Sequence, residues 1–312
     1  MTPRNKTALV CSWLIIISAW LFLIFFISFR SAEIKEAAAK ARSYFAAGPR
    51  QAIQPSWEYI CGKGWKLIAN CEVTPVSGVE GLDPYLIRIN SDGFRGREYT
   101  VNKPDNVYRV AVLGDSFAFG VGLNLEETFS FQLEKMLNKE IAGKHFEVLN
   151  FGVPGMNTAQ EIERFKEKAL KYRPDLVIIA FLGNDDESVE FSTLVNELGI
   201  KHSGGKYEEL MNNKRLKNID FVRQPLKKLE ELAKRSGFKI LIYTLTQGKE
   251  HADLFMETAK ANPAVYYKKA GIMHTSKRKF YLHPLDQHPS ALANEIYAQE
   301  LYGIIGAYGL LK

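Results

Sequence analysis

Charge is missing over a long stretch near the start of the chain: from Thr7 to Phe29 there is no Asp, Glu, Lys or Arg. A bilayer core asks for about 20 apolar residues in a helix, and this run meets that length. A cleaved export signal has an apolar region of only about 7–15 residues and then a small-residue cleavage site, so the run is too long for one. No face of it is polar, which argues against a core helix of a globular domain. We read residues 1–30 as an uncleaved, single-pass transmembrane anchor whose partner is the lipid bilayer. Basic residues flank it on both sides, Arg4 and Lys6 before, Arg30, Lys35, Lys40 and Arg42 after. They do not fix its orientation.

Cysteine is scarce, with three in 312 residues. Cys11 sits in the apolar run, and Cys61 and Cys71 flank the loop CGKGWKLIANC, whose spacing is not that of a zinc site. Two such cysteines outside a membrane are expected to pair in an oxidising compartment, which puts the bulk of the chain on the exported, periplasmic or extracellular, side. The charge balance is nearly even, 41 basic against 35 acidic residues for a net charge of +6. That mild excess does not indicate nucleic acid. It is compatible with an anionic membrane or a polyanionic glycan and reads most simply as a solvated face. No repeat or low-complexity tract occurs. No Gly-Lys-Ser/Thr ends a phosphate-binding loop, and Asp185, Asp186, His283 and His288 lack metal-ligand spacing, so no cofactor or metal is expected.

What is present divides the chain in three. Residues 31–106 read as a helical stalk, SAEIKEAAAKARSYFAAG, followed by an irregular lead-in with the turn Ser91-Asp92-Gly93. Residues 107–312 alternate strands with helices. YRVAVLG (108–114), FEVLNFG (146–152), LVIIAFLG (176–183) and FKILIYTLT (238–246) are apolar runs of strand length, and KRKFYLHP (277–284) reads as a shorter fifth. Helices fall between them, one capped at its start by Asn157, one ended by Gly237, and one closing the chain. Residues 185–218 break the rhythm and read as an insertion or lid. Strands buried on both faces imply a parallel sheet covered by helices, a three-layer doubly wound α/β fold. Ligands in such folds sit beyond the carboxyl ends of the strands.

Four strand ends carry polar or glycine groups: Gly114-Asp115-Ser116, VPGMNT with Gly155, Gly183-Asn184-Asp185, and HPLDQHPS with Asp286 and His288. Acyl transfer needs a nucleophile, a base, an orienting acid and oxyanion donors. Ser116, His288 and Asp286 supply the first three. The amides of Ser116 and Gly155 and the side-chain NH₂ of Asn184 supply the donors, each worth roughly 2.7–4 kcal/mol in other enzymes. Each piece also has a plainer reading. Gly-Asp-Ser alone is most often a turn. His288 reads as a surface histidine before a helix, Asp286 as a loop acid favouring that helix's N-terminus, and His283 is a rival base. Phe117 and Phe119 read as an acyl pocket or as core. A Gly-x-Ser-x-Gly nucleophile turn is excluded, because Ala118 stands at its last glycine.

From Tyr108 to Leu310 the four blocks together resemble the SGNH (GDSL-like) hydrolases, a family of serine esterases and lipases. Gly114-Asp115-Ser116 looks like the first block, NFGVPG places Gly155 at the second block's glycine, Gly183-Asn184-Asp185 carries the asparagine, and Asp286 with His288 resembles the last. One residue separates Asp286 from His288 where the family commonly has two, and glycine directly precedes Asn184. INSDGFRGREY also looks like the lead-in of membrane-anchored members. The resemblance implies a flavodoxin-like sheet and a Ser-His-Asp acyl-enzyme mechanism on carboxylic esters, with short acyl or acetyl groups of a lipid or acylated glycan as the expected substrate. Two other readings remain open: an O-acyltransferase acting on cell-envelope or secreted polysaccharide, and a catalytically silent binding module.

Overall fold

The computed structural model describes residues 62–63, 66–75, 84–183, 185–186, 218–272, 277–283 and 286–311. The expected anchor, the stalk, most of the expected lid and Asn184 lie outside them. Among the described residues no helix is long and apolar enough to cross a membrane. Cys71 is disulfide-bonded; its expected partner, Cys61, lies outside the described residues.

Five parallel strands form the central sheet: β1 (Val107–Gly114), β2 (His145–Asn150), β3 (Leu176–Phe181), β4 (Lys239–Thr244) and β5 (Val265–Lys269), in the spatial order β2-β1-β3-β4-β5. This is the flavodoxin-like order, and the chain reverses direction across the sheet after β1 and β2. Side chains alternate between faces along each strand. Val110 and Val112 join the core under α2 (Phe129–Glu140) and α6 (Ala291–Ala307). Ala111 and Leu113 join the core under α3 (Thr158–Arg164), α4 (Asp220–Ser236) and α5 (Lys249–Ala261). The result is the expected three layers, and each fully buried Leu or Phe in them contributes roughly 1.5–3 kcal/mol.

Local signals act as the sequence suggests. Asn157 caps α3 by accepting from the Gln160 amide at 3.0 Å, while Gln160 reaches back to the Asn157 amide at 3.0 Å. Gly237 ends α4 in the left-handed conformation.

The fifth strand is not the expected one. It is Val265–Lys269, preceded by α5, and neither element stands out in the sequence. Only Val265 of that strand is fully buried, and Lys268 and Lys269 are exposed. It is an edge strand guarded by lysines, so its apolar run is too short to read. The segment read as strand five instead makes a single 3₁₀ turn and then a separate antiparallel hairpin, β6 (Tyr281–His283) with β7 (Asp286–Pro289).

The lead-in is short on regular structure but well tied. Glu72–Val73 pairs with Ile87–Arg88, and Arg95 bridges both Ile89 and Asn150, the last residue of β2. A small apolar cluster of Leu67, Ile87, Ile89, Phe119, Val153 and Met156 lies under it.

Candidate active site

β1 ends at Gly114 because nothing larger fits. Its φ is +151°, and a Cβ there would meet Ala118 Cβ at 2.7 Å and Ala180 O at 3.0 Å. The chain turns at once into α1 (Ser116–Phe119), a single helical turn. Asp115, 1% exposed, caps it by accepting from the Phe117 amide at 3.0 Å, and its other oxygen lies 3.5 Å from Ser116 Oγ. That local job accounts for the acid in Gly-Asp-Ser. Ser116 is the first residue of the turn and is half-buried, so it is not sealed in the core.

The loop after β2 presses on this turn from behind. A Cβ at Gly152 would lie 2.5 Å from Phe119 N and 2.8 Å from Ala118 C, so backbone meets backbone there. Asn150 donates to Ala118 O at 2.7 Å, and Val153 N–H donates to Gly114 O at 3.0 Å. Gly155 follows in an exposed turn. Among the described residues the Ser116 and Gly155 amides meet no acceptor, which leaves both N–H groups available to an oxygen of a bound molecule. Asn184 is outside the described residues. On either side of it, Gly183 N–H donates to Thr246 Oγ1 at 2.8 Å and Leu182 N–H donates to Asp185 Oδ2 at 2.6 Å.

The β6–β7 hairpin brings the remaining pair. Its strand geometry explains the single residue between Asp286 and His288: in a strand, residues two apart share a face. Asp286 Oδ1 accepts from both the His288 amide, at 3.0 Å, and His288 Nδ1, at 2.6 Å. Burial alone would raise the Asp286 carboxyl, but the hydrogen bonds and charge of His288, helped by His283, outweigh it and hold the carboxyl below the usual carboxylate range. An ionised Asp286 fixes the proton on Nδ1, which leaves the Nε2 lone pair open. The two side chains stay 29% and 25% exposed, open to a ligand. The imidazole ring packs on Phe117 of α1, with centroids 5.7 Å apart. Phe117 and Phe119 are themselves buried in apolar clusters, so the core reading holds for both.

The structure therefore places Ser116, Gly155, Asp286 and His288 on elements at the carboxyl end of the sheet. His283, the rival base, faces Asp286 across the hairpin. Sequence reasoning missed a second His–Asp pair. His251 sits between the Gly248 amide, 3.1 Å from Nδ1, and Asp186 Oδ2, 3.0 Å from Nε2. It also missed Glu161 on α3, which is 3% exposed and whose carboxyl oxygens have no hydrogen-bond partner among the described residues. Burial, reinforced by the charge of Asp115, pushes the Glu161 carboxyl well above its usual range.

The sequence model of the GDSL-like Lipase/Acylhydrolase family matches residues 112–295, more than half of the chain. No curated protein matches by sequence. Among solved structures, TesA shares 16% identity at a TM-score of 0.47, over 64% of this chain and 99% of its own. Psychrotrophic esterase EstA from Pseudoalteromonas sp. shares 16% at 0.47, over 65% of this chain and 98% of its own. A family 3 carbohydrate esterase from Clostridium thermocellum shares 15% at 0.46, over 66% and 98%. These scores carry no argument about chemistry; the family model's match over residues 112–295 carries the family.

Proposed function

The chain belongs to the GDSL-like lipase/acylhydrolase family and is a serine hydrolase of ester bonds, and from that premise we propose that it cleaves short acyl esters on an exported substrate from a membrane anchor at residues 1–30. Ser116 Oγ attacks the acyl carbon as its proton passes to His288 Nε2. The negative charge gathers on the carbonyl oxygen, held by the Ser116 and Gly155 amides and the Asn184 side chain. The bond to the alcohol breaks, and His288 returns its proton to the leaving oxygen. Water then attacks the acyl-enzyme with His288 again as base, and release of the carboxylic acid restores Ser116. Asp286 holds the imidazole tautomer and steadies its positive form throughout.

The observation that supports this reading most is the 2.6 Å bond from His288 Nδ1 to Asp286 Oδ1, beside a ring face on the serine's own helical turn. A serine-directed fluorophosphonate probe tests it. Wild type is expected to be labelled and to turn over a short-chain nitrophenyl ester, and Ser116→Ala to do neither; equal labelling of the two would refute the nucleophile. Protease added to intact cells, and then to cells with a permeabilised outer layer, tests export. Digestion of the bulk domain in either case supports an exported domain, and protection in both overturns it.

A further inference from the structure

Every residue given a part in the chemistry lies within the matched block 112–295, yet the carbonyl end of the serine's turn is held from outside it. Arg95 of the lead-in is 1% exposed. Its Nη1 donates to Phe119 O at 2.8 Å and Gly120 O at 2.6 Å, and its Nη2 to Leu86 O at 3.3 Å and also to Leu123 O. Its guanidinium lies 4.8 Å from the centre of the Phe119 ring. A helical turn leaves its last carbonyls without partners inside the helix. Here that of Phe119 is taken by one buried cation, which also shares the Gly120 carbonyl with the Leu123 amide, and that of Ala118 by Asn150.

The lead-in grips the same segment at two further points. The Leu86 amide donates to Asn124 Oδ1 at 2.9 Å, and the Gly122 amide faces the Tyr85 hydroxyl. Gly122 in turn abuts Leu282 of the β6–β7 hairpin, where a Cβ would come within 2.0 Å of Leu282 Cδ1. The segment 119–124 thus touches the serine's helix at one end and the hairpin bearing His288 at the other.

Among the described residues the partners of Arg95 are carbonyl oxygens and no carboxylate, and its Nε meets no acceptor. Burial pushes its basicity down to about 10, against partial support from Tyr85, Glu126 and Glu127, so it stays charged near neutral pH. A buried cation satisfied chiefly by carbonyls of one turn is costly unless that turn is in place.

We propose that Arg95 is a positioning residue for Ser116: its planar fork fixes the 116–123 segment, and through it the separation of the serine hydroxyl from the His288 imidazole. This rests on the reading of Ser116 as nucleophile. A lysine keeps the charge but not the fork, so it replaces Arg95 only in part.

The full chain, wild type beside Arg95→Lys, Arg95→Met, Ser116→Ala and a stability control at the far end of the sheet, Glu147→Gln, tests this. Fluorophosphonate labelling rate, labelled fraction, kcat and KM on a nitrophenyl ester, and Tm are measured for each. Arg95→Met is expected to lower labelling rate and kcat together by about 10- to 100-fold, since small misplacements of reacting groups cost that much. KM should stay within about twofold, the signature of a change felt in the transition state rather than in binding. Arg95→Lys should fall between. Glu147→Gln should lower Tm yet label at the wild-type rate per folded molecule. If both Arg95 variants label at the wild-type rate per folded molecule, the role is merely structural and the proposal is wrong; if Arg95→Met does not fold, Arg95→Lys decides alone. If wild type labels no faster than Ser116→Ala, the nucleophile reading fails first and takes this one with it.

Discussion

Two His–Asp pairs stand at the carboxyl end of the same sheet, and they are wired in opposite senses. In Asp286–His288 the acid holds Nδ1, leaving Nε2 unbound among the described residues, and both side chains keep a quarter or more of their surface exposed. In Asp186–His251 the Gly248 amide donates to Nδ1, so the proton sits on Nε2 and points at Asp186. That second ring is sealed by Phe181, 5.0 Å away, and both its nitrogens are spent. A histidine is a base only where a lone pair faces a substrate. Sequence composition cannot tell the two apart; tautomer and exposure do. The first pair suits proton transfer, and the second pins the turn that follows β3 to the start of α5.

The largest expected effect separates the pairs by function. His288→Ala should lower kcat/KM by at least about 10⁴-fold with folding intact, whereas His251→Gln should leave the rate per labelled site close to wild type. A His251 variant as slow as the His288 variant would erase the distinction. Next comes Asp286→Asn, expected to cost up to about 10⁴-fold by freeing the wrong tautomer while KM barely moves, as read from initial rates on a nitrophenyl ester. Smaller, and on stability instead of rate, His251→Ala should cost about 1–3 kcal/mol because it leaves Asp186 buried without its ring partner, measurable by denaturant unfolding.

The pH dependence of Tm sharpens the comparison further. Asp286 sits below its usual range when folded, so its stabilising share is fully present above about pH 4 and is lost as pH falls through the folded value. Asp286→Asn should therefore flatten the acid side of the Tm profile. Glu161 behaves in the reverse sense. Its folded value is raised, so its share is present below about pH 4 and is lost as pH rises. Glu161→Gln should match wild type near pH 4 and exceed it by a widening margin toward neutrality. A constant gap between the two would mean that Glu161 is not a buried acid.

Much of this was legible in the residues, for physical reasons. β1 and β3 are buried on both faces, so their apolar runs are long, broken in β1 only by Arg109; Asn157 and Gly237 announce helix ends by chemistry that depends only on local backbone. Ser116, Asp286 and His288 stood out because strand ends concentrate polar groups. What escaped was whatever depends on distant contact. Val265–Lys269 is an edge strand with one fully buried side chain, and KRKFYLHP reads as a sheet strand because Tyr281–His283 within it does form a strand, though of a hairpin and not of the central sheet. Arg95 sits in a polar, turn-rich stretch where an arginine looks solvated, and only its bonds to carbonyls 24 and more positions away reveal otherwise.

The backbone contact at Gly152 bears on how such an enzyme could be retuned. With only hydrogen on that Cα, the loop after β2 rests directly on the peptide groups of Ala118 and Phe119. Any other residue there would act as a wedge, lifting the reactive turn off its support. Substrate range would therefore have to evolve elsewhere, with loops around the crevice free to vary and position 152 frozen. A saturation library at that codon is expected to return glycine alone.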